Sequence, residues 1–169
     1  FEASINGLGY IVLNKKAVKR FSRSGRELGV FGNDNRRGHP ARISRPVRAR
    51  MDPTGVLWVI DHEGDAVARF SARGRFLGRK GGFEFSGRLR VAGSPDGGFA
   101  VLDAKDYRVT RFDSQGWVTA RFGVQGTKAD QFEDPVDLAI SETGDVYVLD
   151  AGKKAVMRFS RQGTHVKNL

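Results

Sequence analysis

The stretch VLDAGKKAVMRFSRQG, from Val148 to Gly163, decides the fold, because three earlier stretches repeat its plan. They are VLNKKAVKRFSRSG from Val12 to Gly25, VIDHEGDAVARFSARG from Val59 to Gly74, and VLDAKDYRVTRFDSQG from Val101 to Gly116. The anchor residues Asn14, Asp61, Asp103 and Asp150 are separated by 47, 42 and 47 positions. An Arg-Phe pair follows each anchor: Arg20-Phe21, Arg69-Phe70, Arg111-Phe112 and Arg158-Phe159. A glycine stands four positions beyond each of these phenylalanines. A fourfold agreement at a period of 42–47 residues is an internal repeat, and it governs the rest of the reading.

Each repeat reads as strands. Short β-rich apolar runs lead into the anchors, at Val56 to Ile60, Phe99 to Leu102 and Val146 to Leu149. A second run follows each anchor: Val18 to Phe21, Val67 to Phe70, Val109 to Phe112 and Val156 to Phe159. The hairpin between them has two residues in the first repeat, Lys15 and Lys16, and four in the others. Small polar residues ending in Gly then turn the chain into an outer strand: Glu27 to Phe31, Phe76 to Arg79, Trp117 to Phe122 and Thr164 to Leu169. Upstream runs at Val47 to Met51, Leu89 to Ala92 and Val136 to Ile140 supply a fourth strand. Four short antiparallel strands per repeat predict an all-β propeller, with blades at approximately 1–32, 47–80, 89–123 and 136–169.

Composition agrees with this and narrows the function. The chain has 169 residues, 22 of them glycine, which suits many tight turns. It has no cysteine, which excludes a disulfide framework, a Cys-ligated zinc site and a thiol nucleophile. No apolar run approaches the length of a membrane span, and no signal peptide is read within the stretch. The net charge is +10, and arginine outnumbers lysine twenty to nine. That balance invites a nucleic-acid reading, and a GC-rich genome, which favours arginine codons whatever the function, is an alternative source of it.

The run PVDLAISETGDVYVLD from Pro135 to Asp150, followed by VMRFSRQG from Val156 to Gly163, resembles the NHL repeat, and the resemblance extends over essentially the whole chain. The third repeat keeps the family's Asp-to-Arg spacing, Asp103 and Arg108, whereas the second and fourth have Ala66 and Ala155 where that arginine would stand. NHL repeats usually close as six-bladed propellers that bind proteins, RNA or other ligands. The resemblance therefore implies four blades of an expected six, the rest coming from missing sequence or another subunit. It implies a binding or scaffold module whose face recognises another protein. Bacterial relatives are frequently exported, to the periplasm or beyond, although this stretch carries no address of its own.

Candidate sites follow from the topology of a blade. The recurring Arg20, Arg69, Arg111 and Arg158 read as repeat positions, facing Ile11, Trp58, Ala100 and Tyr147 across the hairpin. The two aromatic pairs would be cation–π contacts worth about 0.5–2 kcal/mol. Asn14, Asp61, Asp103 and Asp150 read as strand-end residues, the acids accepting backbone N–H groups. The loops after the second and fourth strands of each blade gather Lys15, Lys16, Arg36, Arg37, His39, Arg42, Arg45, Lys80, Lys105, Lys153 and Lys154 on one side, a basic loop face for an anionic partner. Glu63, Asp65, Asp106, Glu133 and Asp134 dilute it. An RNA-binding alternative would use Phe83, Phe85, Tyr107 and Phe132 to stack bases. The chain is expected not to be an enzyme, and no metal or cofactor is expected. Only His39, His62 and His165 are available, and no Ser-His-Asp, HExxH or P-loop spacing occurs. A further alternative is a propeller lyase or lactonase whose site residues lie outside this segment.

Overall fold

The computed structural model describes residues 3–6, 9–14, 17–33, 39–52, 54–63 and 65–169, and within them every regular element is a strand. Blade 1 is β1 (Ala3–Asn6), β2 (Gly9–Asn14), β3 (Ala17–Phe21) and β4 (Glu27–Phe31). Blade 2 is β5 (Pro46–Met51), β6 (Leu57–Asp61), β7 (Ala66–Phe70) and β8 (Phe76–Gly81). Blade 3 is β9 (Leu89–Gly93), β10 (Phe99–Asp103), β11 (Arg108–Phe112) and β12 (Val118–Phe122). Blade 4 is β13 (Pro135–Ile140), β14 (Val146–Asp150), β15 (Ala155–Phe159) and β16 (His165–Asn168). In each blade the four strands lie side by side in chain order, all antiparallel. No helix of the described residues is long and apolar enough to cross a membrane.

Two kinds of turn build the blades. Among the described residues seven hairpins share one geometry, a tight turn closed by an N–H from a left-handed glycine to a carbonyl three residues back. The glycines are Gly25, Gly55, Gly74, Gly97, Gly116, Gly144 and Gly163, with φ from 79° to 88°. A side chain at that φ is strained, which is why the repeat keeps glycine there. Four of these turns follow the Arg-Phe pairs, and in all four the ladder slips by one residue between the Arg and the Phe. This β-bulge adds twist at the same place in every blade. At the opposite, loop end, the four-residue hairpins close with a non-glycine residue at positive φ: Asp65 (39°), Tyr107 (53°) and Lys154 (54°).

The chain divides into two units, Phe1–Glu84 with blades 1 and 2, and Phe85–Leu169 with blades 3 and 4. Each has its own apolar core. In the first, Ile11, Leu13 and Val18 of blade 1 pack with Leu57, Val59, Ala68 and Phe70 of blade 2. In the second, Ala100, Leu102 and Val109 of blade 3 pack with Val146, Val148, Met157 and Phe159 of blade 4. The other face of blade 4 repeats the pattern of blade 3. Leu149 pairs with Val156 as Leu102 pairs with Val109. Leu102 is fully buried, whereas Leu149 is 45% exposed.

Candidate functional site

The anchor acids fasten each loop to the blade that follows it. Asp61 is fully buried and accepts N–H groups from Ser44 (3.1 Å) and Arg45 (2.7 Å). It also takes a guanidinium hydrogen bond from Arg79 (2.9 Å), which at the same time reaches the Arg42 carbonyl (2.7 Å). Asp103 accepts from the Ser86 N–H and hydroxyl and from the Lys105 N–H. Asp150 accepts from the N–H groups of Glu133 (2.8 Å), Asp134 (3.0 Å) and Lys153 (3.0 Å). A strand-end carboxylate with two acceptor oxygens is suited to such a clamp, since it satisfies loop amides that would otherwise be buried without partners. Asn14 ends β2 at the corresponding place, and its side chain lies outside those described.

The recurring arginines keep one register and find four different partners. Arg20, Arg69, Arg111 and Arg158 face Ile11, Trp58, Ala100 and Tyr147. Arg20 crosses from blade 1 to donate to the Ala72 carbonyl of blade 2 (3.0 Å). Arg69 lies over the Trp58 ring, 5.5 Å from its centroid, and the indole N–H is taken by buried Asp52 (2.8 Å). Arg111 is buried and donates to the Ser94 hydroxyl (3.1 Å) and to Asp96 (3.4 Å), which Arg161 of blade 4 also binds. Burial pulls the Arg111 guanidinium below its usual range, although Asp96 opposes this. Burial acts to raise Asp96. Hydrogen bonds from Ser94 and the Gly98 N–H, with the charges of Arg111 and Arg161, outweigh it and hold the carboxyl below its ordinary range. Arg158 is gripped by Asp145 through Nε (3.0 Å) and Nη2 (2.6 Å), and that hydrogen bonding raises it further.

The residues proposed for a basic loop face divide between the units. In the first unit Arg45 is exposed, while Arg42, Lys80 and His39 are half-buried, and the His39 ring nitrogen accepts the Ala41 N–H (3.3 Å). Lys15, Lys16, Arg36 and Arg37 lie outside the described residues. In the second unit Lys105 and Lys154 are exposed. Lys153 is committed elsewhere: its ammonium donates to the Thr127 and Lys128 carbonyls (3.0 Å each) and pairs with Glu133 (3.3 Å). Of the aromatics considered for base stacking, Phe132 is fully buried. A Cβ on Gly123 would overlap its ring, so the loop closes over Phe132 only because position 123 is glycine. The Tyr107 hydroxyl is engaged by Gln125 (3.0 Å), and its ring packs on the second core. Phe83 and Phe85 are half-buried. Among the described residues no group of three His, Asp or Glu side chains is placed to hold a metal ion.

Charge separates the two units far more than structure does. The first contains seventeen Lys and Arg against eight Asp and Glu, a net of +9; the second contains twelve against eleven, a net of +1. The excess is not confined to the loop end. Arg23, Arg26, Arg73 and Arg75 are all exposed at the turn end of blades 1 and 2. In the sequence SRSGR and SARGR are legible only as turns, and nothing in them marks the arginines as a site.

No family model matches the chain, and no curated protein matches it. Solved structures do. A streptogramin B lyase structure superposes with a TM-score of 0.69 at 11% identity over 97% of this chain, and virginiamycin B lyase from Staphylococcus aureus with 0.69 at 12% over 98%. The WD40 β-propeller domain of Doa1 superposes with 0.67 at 13% over 99%. The fold is therefore that of a partial β-propeller, as the repeat predicts. The chain spans about half of each matched structure, 52%, 53% and 52% of their lengths respectively. The expectation that the chain is not an enzyme is corrected by these matches, since proteins with this arrangement of sheets include lyases. The physical reason is that a propeller can draw reacting groups from loops on separate blades, which no contiguous motif reveals. At such low identity the likeness establishes the fold alone.

Proposed function

We propose that the chain is a macromolecular recognition segment of an NHL-type propeller, and that the loop end of its first unit binds an acidic protein surface. The observation that carries this is the charge difference between two units of the same architecture. The second unit forms the same blades, turns and anchor clamps at a net of +1. The +9 of the first is therefore not a requirement of the fold and is available for steering and holding an anionic partner. Of the rings considered for stacking, Phe83 alone belongs to the first unit, and it is half-buried, which favours a protein over single-stranded RNA on this loop end, because base stacking needs exposed rings. Calorimetric titration with a poly-glutamate peptide at physiological salt tests the reading. Reversing charge at Arg36, Arg37 and Arg42 should weaken binding at least tenfold, and unchanged affinity would overturn it.

A second reading is favoured by the likeness to the lyase structures: the chain belongs to a propeller enzyme whose reacting groups stand on other blades. Incubating the full-length protein with a streptogramin B antibiotic, with and without divalent cations, and following the parent mass would show turnover if this reading holds.

A further inference from the structure

At the turn end of the first unit, residues 22–26 and 71–75 form two copies of one turn. The Ser22 N–H reaches the Arg26 carbonyl (2.8 Å) and the Ser71 N–H the Arg75 carbonyl (2.8 Å). The serine hydroxyls accept the N–H groups of Arg26 and Arg75 (3.1 Å each). Backbone and hydroxyls are thus consumed in making the turns, and the arginine side chains are what the turns present. Arg23, Arg26, Arg73 and Arg75 are exposed, and among the described residues none is engaged by an acid. The nearby Glu27 is bound to Lys19 (2.8 Å), and Asp52 is buried in its own turn.

The turn of blade 2 is held against the outer strands of blade 1. Arg20 donates to the Ala72 carbonyl (3.0 Å), and Gly74 lies against Val30 and the Phe31 ring of β4. Arg26 immediately precedes β4, and Val30 lies four residues on, so the turn of blade 2 meets blade 1 about 13 Å along the strand from Arg26. That span corresponds to about four phosphates along one strand of a nucleic-acid duplex. All four cations are arginines, whose planar forks suit phosphate oxygens better than a lysine point charge does. The turns contain no aromatic residue, so nothing in them would read a base. The equivalent turns of the second unit, DSQGW and SRQGT, hold a single arginine, Arg161, which is spent on Asp96.

We propose that Arg23, Arg26, Arg73 and Arg75 form a second binding site, at the end of the unit opposite the loops, for the phosphodiester backbone of nucleic acid, bound without sequence preference. It does not rest on the loop-end reading. Fluorescence anisotropy on the full-length protein, with a labelled 20-base-pair duplex of arbitrary sequence across a salt series, tests it. Replacing the four arginines by alanine should weaken binding on the order of 100-fold at low salt and flatten the log–log salt slope by roughly three to four. The same variant should leave poly-glutamate binding unchanged, and R42A/R45A should leave duplex binding unchanged. Restoring charge with four lysines should recover most of the salt slope, and thermal melting of each variant checks that the exposed substitutions leave the fold intact. An unaltered slope in the alanine variant overturns the proposal. So does equal loss of poly-glutamate binding, which would make the site a general acidic-protein surface.

Discussion

In the second unit two acids of the turn end bind three arginines. Arg111 lies under Ser94 and Asp96, Arg161 shares that carboxylate, and Arg158 is clasped by Asp145. In the first unit the same repeat positions put Arg20 on a carbonyl and Arg69 on an indole. Asp52, its turn acid, is spent on Trp58 and its own backbone. The repeat therefore specifies where a cation stands and leaves open what it meets. A unit that spends its acids on its arginines has little field left over. A unit that rests its repeat arginines on a carbonyl and an indole, and adds four more at its turns, keeps more of its charge for something outside.

If the units share a scaffold and differ only in charge, their cores should respond alike. Leu13 and Leu102 occupy the same register position and pack against the next blade of their own unit. Leu13→Ala and Leu102→Ala should each cost about 3–4 kcal/mol in urea denaturation, by lost burial and the cavity left behind. Leu149→Ala, at the equivalent but exposed position of blade 4, should stay within about 0.5 kcal/mol. A clear inequality between Leu13 and Leu102 would break the claim of a common scaffold. A large loss at Leu149 would show that its face is covered in solution.

The anchor acids sharpen the difference. Asp61 holds two amides and the Arg79 guanidinium, whereas Asp150, among the described residues, holds backbone amides alone. Asp61→Ala strands a partly buried cation and should cost about 3 kcal/mol, discounted for the access of Arg79 to water. Asp150→Ala should cost about 1–2 kcal/mol. Hydrogen exchange resolved to each unit would separate the two, and equal losses would mean the Arg79 pair contributes nothing.

The strands and their register were legible because the repeat states them four times. A two- or four-residue hairpin between fixed anchors leaves only one pairing, and a glycine four residues after each Phe sets the bulged turn. The outer strand of blade 2 runs on to Gly81 rather than stopping at Arg79, a difference of fraying and nothing more. The partners of the arginines were not legible. The acids stand at the first (Asp52), third (Asp96) and fifth (Asp145) places of otherwise equivalent turns, and a shift of two residues around a turn redirects the carboxylate completely. Lys153 looked like a free cation because its two carbonyl partners lie about 25 residues earlier. Phe132 looked like a stacking residue because its burial depends on a glycine nine residues before it.

The acid response should also divide the units. Asp96 has a depressed pKa in the folded state, so its contribution to stability is present above the ordinary carboxylate range, from about pH 4 upward. It is lost as pH falls through the lowered folded-state value, when the carboxyl protonates and releases Arg111 and Arg161. Acid titration should therefore loosen the turn end of the second unit. Asp96→Asn should abolish that part of the pH dependence while leaving the first unit's exchange rates unchanged. If the two proteins have superimposable acid profiles, Asp96 is not the group responsible.

The smallest expected difference concerns the positive-φ residues that close the loop-end hairpins. Lys154 sits at φ 54°, exposed, with no side-chain bond among the described residues to repay the strain. Lys154→Gly should therefore raise stability, by about 0.5–1 kcal/mol less the greater entropy of glycine in the unfolded chain. Asp65 occupies the matching place in the first unit at φ 39°, but its carboxylate accepts the Glu84 N–H (3.0 Å), and aspartate tolerates this region better than lysine does. Asp65→Gly should be neutral or destabilising. Opposite signs at two equivalent positions would show that strain is left standing in one unit and offset by a hydrogen bond in the other. Equal gains would mean that the Asp65 bond is too exposed to matter, and that the two hairpins differ in sequence but not in energy.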